Sequence, residues 1–357
     1  MFRNTLPANP EAGLRALEVN LPPHNADTPI TIGDYVPRAL RSLAWDAALF
    51  DRCTALLQVL AIYGEESTAK KATEIHTSLF HLYLSGTHAT AEQRAAIVKR
   101  LLISPNSHER ALGLAALDAM LESIHFSSDY DFQFGAHSRD YGYQPKTYGE
   151  QSHWYATAFS VAKEIALSGG AAANVAKITV SANFRGLWTC VGLRDDLEDI
   201  SAALAAQGFW RDGWLAVKQT RFFDEKDKTS DNYARLSKLE VRLRPRDLIQ
   251  NVRGRVLSQK GALYDVEEVD TDNAESYRVG IEEKNKEAKD LGCQVARDQA
   301  ALQELIPEIV GGHGNLWYFG KGLAKGAKNP KELWGKMVRQ LAQTPVEKSM
   351  RTSPRYI

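Results

Sequence analysis

The chain has 357 residues, 44% of them apolar and 25% charged, and its 44 basic side chains are matched by 44 acidic ones. These are ordinary values for a soluble protein, and the length favours two domains or an elongated array over one compact body. No apolar run approaches the ~20 residues that cross a bilayer, and the N-terminal MFRNTLPANPEAG lacks a signal-peptide core, so a cytoplasmic protein without a membrane partner is expected.

Residues 1–30 carry Pro7, Pro10, Pro22, Pro23 and Pro29 without a sustained period. They read as a linker or a poorly ordered N-terminus. Residues 31–126 then show helical spacing. One helix runs through Tyr35, Leu40, Leu43 and Ala47, a second through Cys53, Leu56, Leu57, Leu60 and Ala61, and a third from about Thr68 to Leu84, stopping at Ser85-Gly86. Thr90-Ala-Glu-Gln93 has the form of a capping box and opens a fourth. Asn106-Ser-His-Glu109 repeats the device at the head of a fifth helix, Asn106–Phe126.

Within that fifth helix, Arg110–Ala119 (RALGLAALDA) echoes Arg38–Ala47 (RALRSLAWDA), 72 residues upstream, at six of ten positions. Seventy-two is two units of 36, a period that suits stacked helix pairs. The expected fold class is therefore all-α, a right-handed α-solenoid of HEAT/TPR-like helix pairs with one long aromatic loop.

That loop is residues 127–150, where Tyr130, Phe132, Phe134, Tyr141, Tyr143 and Tyr148 fall without helical period. Its aromatic content argues against disorder and for a segment folded back on the helices. His125, Asp129, Asp131, His137 and Asp140 carry the chemistry for a divalent ion, and so for a metal-dependent hydrolase, but not in a standard ligand spacing. Stacking of a base on the tyrosines is a further alternative.

Residues 151–345 return to helices: Trp154–Leu167, Ala171–Cys190, Leu193–Ala206, one through Leu215, Val217 and Thr220, Ser230–Leu243 and Arg246–Ser258. Lys177–Ser181 leans towards strand, but its flanks favour helix. The cluster Asp195, Asp196, Glu198 and Asp199 suits the positive end of a helix dipole better than a catalytic pair. An acidic loop at 265–272, a long charged helix to about Leu305, and the pair Leu316–Ala327 and Pro330–Gln343 complete the array, with 346–357 as a tail.

Charge is polarised along the chain. Residues 217–260 hold twelve Lys/Arg against six Asp/Glu, 264–290 four against ten, and 313–357 nine against two. Solvated helix faces are the first explanation of such blocks, and partner surfaces the second. Should the basic repeats line a groove for nucleic acid, Arg244, Arg246, Arg253, Arg255, Lys321 and Lys325 are the residues to carry it.

No motif calls for a cofactor or for catalysis. Gly311–Leu316 and Gly320–Lys325 both fail G-x-G-x-x-G, and Gly320-Lys321 has Asn315 where a P-loop needs its first glycine. G-x-S-x-G is absent. Cys53, Cys190 and Cys293 are odd in number and far apart, which fits buried thiols in a reducing compartment.

The stretches RALGLAALDAMLESIHFSSDYDFQFGAHSRDYGYQPKT, ANFRGLWT, GFWRDGWLAVKQTRFFD, LRPRDLIQNVRGRVLS, LWYFGKGLA and ELWGKMVRQLA resemble the HEAT-like helical-repeat regions of large bacterial multidomain NTPases, including STAND-type proteins linked to defence against phage. The resemblance implies a non-catalytic sensor or scaffold that binds a protein, either a domain of its own parent chain or a foreign protein such as a phage component. The ending TSPRYI directly after a helix is what a fragment of such a parent would show. Tyrosine combines wide contact area with a polar tip, so Tyr130, Tyr141, Tyr143 and Tyr148, with Arg139, are the expected partner contacts.

Overall fold

The computed structural model describes residues 6–21, 29–128, 130–135, 138–258, 274–312 and 314–343. Among these residues the fold is all-α, with sixteen α-helices and no strand. It comprises two compact units, residues 1–206 and 207–357. The boundary thus lies at the end of a helix and not at the aromatic loop, which falls inside the first unit.

Unit 1 contains α1 (Pro10–Asn20), α2 (Tyr35–Leu43), α3 (Ala47–Tyr63), α4 (Glu66–Ser78), α5 (Ala91–Leu102), α6 (Ser107–Leu121), α7 (Tyr148–Leu167), α8 (Ala173–Gly186) and α9 (Arg194–Gln207), whose C-terminal residue meets the boundary. Helix α8 includes the β-leaning Lys177–Ser181 and runs on into a π turn at Leu187–Val191. Helices α2, α4, α6 and α8 pack in succession as one layer. In a second layer, α3, α5 and α7 pair with α4, α6 and α8, and α5 also packs on α7. Packing of each helix on its neighbour and its next-but-one is how helix pairs bury faces that none can bury alone.

The Pro-rich start departs from the linker expectation. Asn9 caps α1 by accepting from Ala12 N at 3.0 Å, Pro10 supplies a first-turn φ that needs no amide, and Leu14 and Leu17 are buried. Arg52 then ties α1 to α3, bonding Glu11 at 2.9 Å and Glu18 at 2.6 Å. Two leucines are too few to register as a period, but enough to dock a short helix.

The 72-residue echo marks equivalent positions only in its first half. Asp46 is the N-cap of α3, accepting from Ala48 N at 2.9 Å, whereas its counterpart Asp118 sits inside α6 and accepts from Asn183 Nδ2 at 2.7 Å. Only the first halves of the two stretches match, both on helices of the same layer. The capping box is formed as expected: Gln93 N donates to Thr90 Oγ1 at 3.2 Å and Thr90 N to Gln93 Oε1 at 3.1 Å. At α6, Asn106 caps alone, through His108 N.

One buried group in unit 1 makes stability depend on pH. His76 is fully enclosed, and burial, helped by the Arg100 cation, pulls its imidazole down to about 3. Its Nε2 lies 3.2 Å from Gln58 Nε2, a donor, so Nε2 accepts and the proton sits on Nδ1. An unfolded histidine takes up its proton near ~6.5, so between there and 3 the unfolded chain binds more protons and stability falls as pH falls. Unit 1 should lose about 2 kcal/mol between pH 7 and pH 5, measured as a drop in urea midpoint. His76→Gln should flatten that slope.

Unit 2 contains α10 (Arg211–Asp224), α11 (Asp231–Leu243), the short α12 (Leu248–Asn251) with a π turn at Val252–Val256, α13 (Ala274–Arg297), α14 (Gln299–Gly311), α15 (Leu316–Gly326) and α16 (Pro330–Gln343). Val252, Val256, Val295, Leu305 and Phe319 centre its core. The long charged helix expected to reach Leu305 is divided at Asp298, whose side chain accepts from Ala300 N and Ala301 N at 3.0 Å and starts α14 afresh. The acidic loop at 265–272 and the tail at 346–357 lie outside the described residues.

Of the glycines in the Gly320–Lys325 stretch, Gly322 has a packing role, shared with Gly292 of α13. A Cβ on Gly322 would sit 1.9 Å from Lys289 O, and one on Gly292 2.2 Å from Phe319 O, so α13 and α15 approach to backbone contact.

Candidate functional site

The site begins with a loop that has no regular structure and two buried arginines that organise it. Arg94, on α5, is fully buried and uses all five of its donors: Nε to Ala89 O, Nη1 to Leu79 O and His81 O, and Nη2 to Thr87 O and Ser85 Oγ. Burial pulls its guanidinium down to about 9. Satisfying two carbonyls just past Ser78 gives the chain a reason to leave the helix there, six residues before the expected stop. Arg41, on α2, reaches the same loop, donating from Nη2 to Ser85 O at 3.4 Å, and burial lowers its pKa to about 10.

The aromatic segment between α6 and α7 closes over these two cations. Tyr130 and Phe132 lie 4.2 and 5.0 Å from the Arg41 guanidinium. Tyr143 stacks on Trp154 at 5.9 Å and 17°, and the same Trp154 ring is 4.7 Å from Arg94. Cation–π contact replaces the missing carboxylates as the electrostatic partner of each arginine. Arg139 faces Trp45 at 4.6 Å and Phe134 at 4.2 Å, and its Nη1 donates to Ser42 O. Asp140 Oδ1 accepts from Trp45 Nε1 at 3.1 Å, Gly142 N at 3.0 Å and His88 Nε2 at 2.9 Å.

Two backbone bonds complete the docking, Gly86 N to Tyr141 O at 2.9 Å and Tyr143 N to Thr87 O at 2.8 Å. Gly142 allows this approach: its φ is +88°, and a Cβ there would lie 2.4 Å from Thr87 N.

The five residues expected to touch a partner therefore divide. Tyr130, Tyr143 and Arg139 are half-buried and engaged in the contacts above. Tyr141 and Tyr148 are 52% and 75% exposed. Tyr148 is also not in the loop: Thr147 caps α7 by accepting from Glu150 N at 3.2 Å, so Tyr148 is the first residue of that helix.

The alternatives fare differently. Of the five residues weighed for a metal, Asp129 and His137 lie outside the described residues. Asp140 is engaged as above, Asp131 accepts from Gln133 N at 2.9 Å, and His125 is exposed in a positive-φ turn. No three His, Cys, Asp or Glu among the described residues come together to hold a metal ion. Beside the loop, His81 Nδ1 pairs with Glu122 Oε2 at 3.0 Å, and Tyr155 donates to Glu122 O at 2.8 Å. The protein around the Asp118 carboxyl desolvates it and raises its pKa even against the Asn183 hydrogen bond.

Among the arginines considered for nucleic acid, Arg253 is bonded to Glu308 at 2.6 Å and Glu304 at 3.0 Å, and Arg255 to Glu287 at 2.7 Å. Both arginines are thus held in ion pairs within unit 2. Arg244 lies 3.7 Å from Glu240, and Arg246 is exposed with its Nη2 near Arg242 O. Lys321 and Lys325 are exposed on α15.

Sequence reasoning missed Arg94 and Lys218. A lone cation in a helical stretch reads as surface, and only its position on an inward helix face marks it. Lys218 is buried in unit 2, its Nζ 4.5 Å from the Trp214 ring. Burial first, then the Lys284 and Arg255 cations, bring its pKa down to about 7. Cys190 is exposed, unlike the buried thiol expected there.

No protein family, curated protein or solved structure matches the chain. Function must therefore be argued from this geometry. No helix among the described residues is long and apolar enough to cross a membrane.

Proposed function

We propose that unit 1 is a segment of right-handed HEAT/TPR-like solenoid whose task is to hold a protein partner, with Tyr141 and Tyr148 as the contact residues. The observation that carries this reading is the pairing of exposure with a fixed support. Both tyrosines are more than half exposed, and the backbone behind Tyr141 is pinned by Arg139, Asp140 and two main-chain bonds. An aromatic side chain on such a support loses little conformational freedom on binding, so its apolar area converts efficiently into affinity. The scaffold acts by binding alone. The resemblance to repeat regions of defence proteins adds the expectation that the partner is a domain of the same parent protein or a foreign one.

Capture from the native cell tests the reading. The Tyr141→Ser/Tyr148→Ser chain, with an unchanged circular dichroism spectrum, should recover the partner at least about tenfold less well than wild type. Equal recovery of every captured protein would overturn the proposal.

A further inference from the structure

Helix α16 turns only part of its apolar surface inward. Leu333 is buried in the unit 2 core and Met337 packs against it, whereas Trp334, Val338 and Leu341 are 68%, 44% and 60% exposed. Their i, i+4, i+7 spacing aligns the three as one outer ridge. On α15, Trp317 is 70% exposed, and Lys321, one turn on, holds its Nζ 4.9 Å from the indole. The charge around these side chains has one sign. Between residues 316 and 343 stand Lys321, Lys325, Lys328, Lys331, Lys336 and Arg339 against the single acid Glu332, which pairs with Lys336 at 3.2 Å.

We propose that α15 and α16 form a surface that docks on an anionic lipid bilayer, the helices lying in its plane. Indole and leucine side chains partition to the boundary between headgroups and acyl chains, and lysines beside them pair with anionic headgroups while their stems stay in apolar surroundings. Charge decides against a second copy of the chain, because two such faces repel. Aliphatic exposure decides against nucleic acid, which would stack on the tryptophans but leave Val338 and Leu341 facing a polar backbone. The lack of an apolar run of membrane length bears on crossing a bilayer and not on lying upon one. The inference rests on unit 2 alone and is independent of the partner proposed for unit 1.

The test is flotation of the full chain with phosphatidylcholine vesicles, with and without about one-third phosphatidylglycerol, combined with tryptophan quenching by brominated acyl chains. The protein should float with anionic vesicles at low salt, be quenched there, be released at high salt, and ignore neutral vesicles. Trp334→Ser/Leu341→Ser should lower the partition coefficient by on the order of tenfold or more. Lys321→Glu/Lys325→Glu, which leaves the ridge intact, should remove the preference for anionic lipid. Failure to float, or undiminished binding by both variants, overturns the proposal. So does binding of a single-stranded oligonucleotide or of polyglutamate where vesicles fail, which would reassign the ridge.

Discussion

Arg94→Met is expected to destabilise unit 1 by about 4 kcal/mol, well beyond the usual ~1 kcal/mol of a point substitution. The side chain is fully buried, and five acceptors depend on it, four of them carbonyls of residues 79–89 that no longer belong to a helix. Methionine fills much of the volume but takes the Arg94 donor from Leu79 O, His81 O and Ala89 O in a dry environment, Thr87 O alone keeping Tyr143 N, and each loss costs roughly 1–3 kcal/mol less whatever water can enter. Arg94→Lys keeps the charge but brings three donors on a tetrahedral head in place of a planar fork, so most of the loss should persist. The check is urea unfolding followed through Trp154, whose ring contacts both Arg94 and Tyr143. A midpoint within experimental scatter of wild type would show that the arginine does not organise the loop.

Gly322→Ala is expected to cost unit 2 about 3 kcal/mol or more, although the same change two residues earlier should be harmless. At Gly322 the new Cβ would lie 1.9 Å from Lys289 O and 3.0 Å from Cys293 N, both backbone atoms of α13 that can move only if the helices part. At Gly320 nothing lies within 4 Å, so alanine there should stabilise α15 by up to about 1 kcal/mol through helix propensity alone. Thermal unfolding of the two variants should shift in opposite directions. A matching shift in both would mean that propensity, and not helix approach, sets the role of these glycines.

These two sites mark what could be read from the chain and what could not. Features set by neighbours in sequence were legible: the Thr90/Gln93 capping box, the apolar stripe of α3 through Cys53, Leu57 and Leu60, and the acidic first turn of α9 at Asp195 and Asp196. Features set by distant residues were not. Helix α4 ends early because Arg94 lies beneath Leu79 O and His81 O, and Arg253 is held by Glu304 and Glu308, more than fifty residues on. Gly322 belongs to no phosphate-loop motif, and its role in close helix approach depends on where Lys289 O of α13 stands, which its own neighbours in sequence do not reveal. Within the aromatic loop, the residue type signalled that the segment would fold back. Which tyrosines would be consumed depended on where Arg41 and Trp154 stand, and neither position follows from the sequence of the loop.

On the proposed reading, the segment before α7 is a fixed platform, and Tyr141 on it and Tyr148 at the head of α7 take the partner. Amide hydrogen exchange of the whole chain, with and without the captured partner, tests both halves at once. The Gly86 and Tyr143 amides, which donate to Tyr141 O and Thr87 O, should exchange slowly in the free protein, and the partner should add protection within residues 138–150. Rapid exchange at Gly86 and Tyr143, or new protection confined to other parts of the chain, would contradict it.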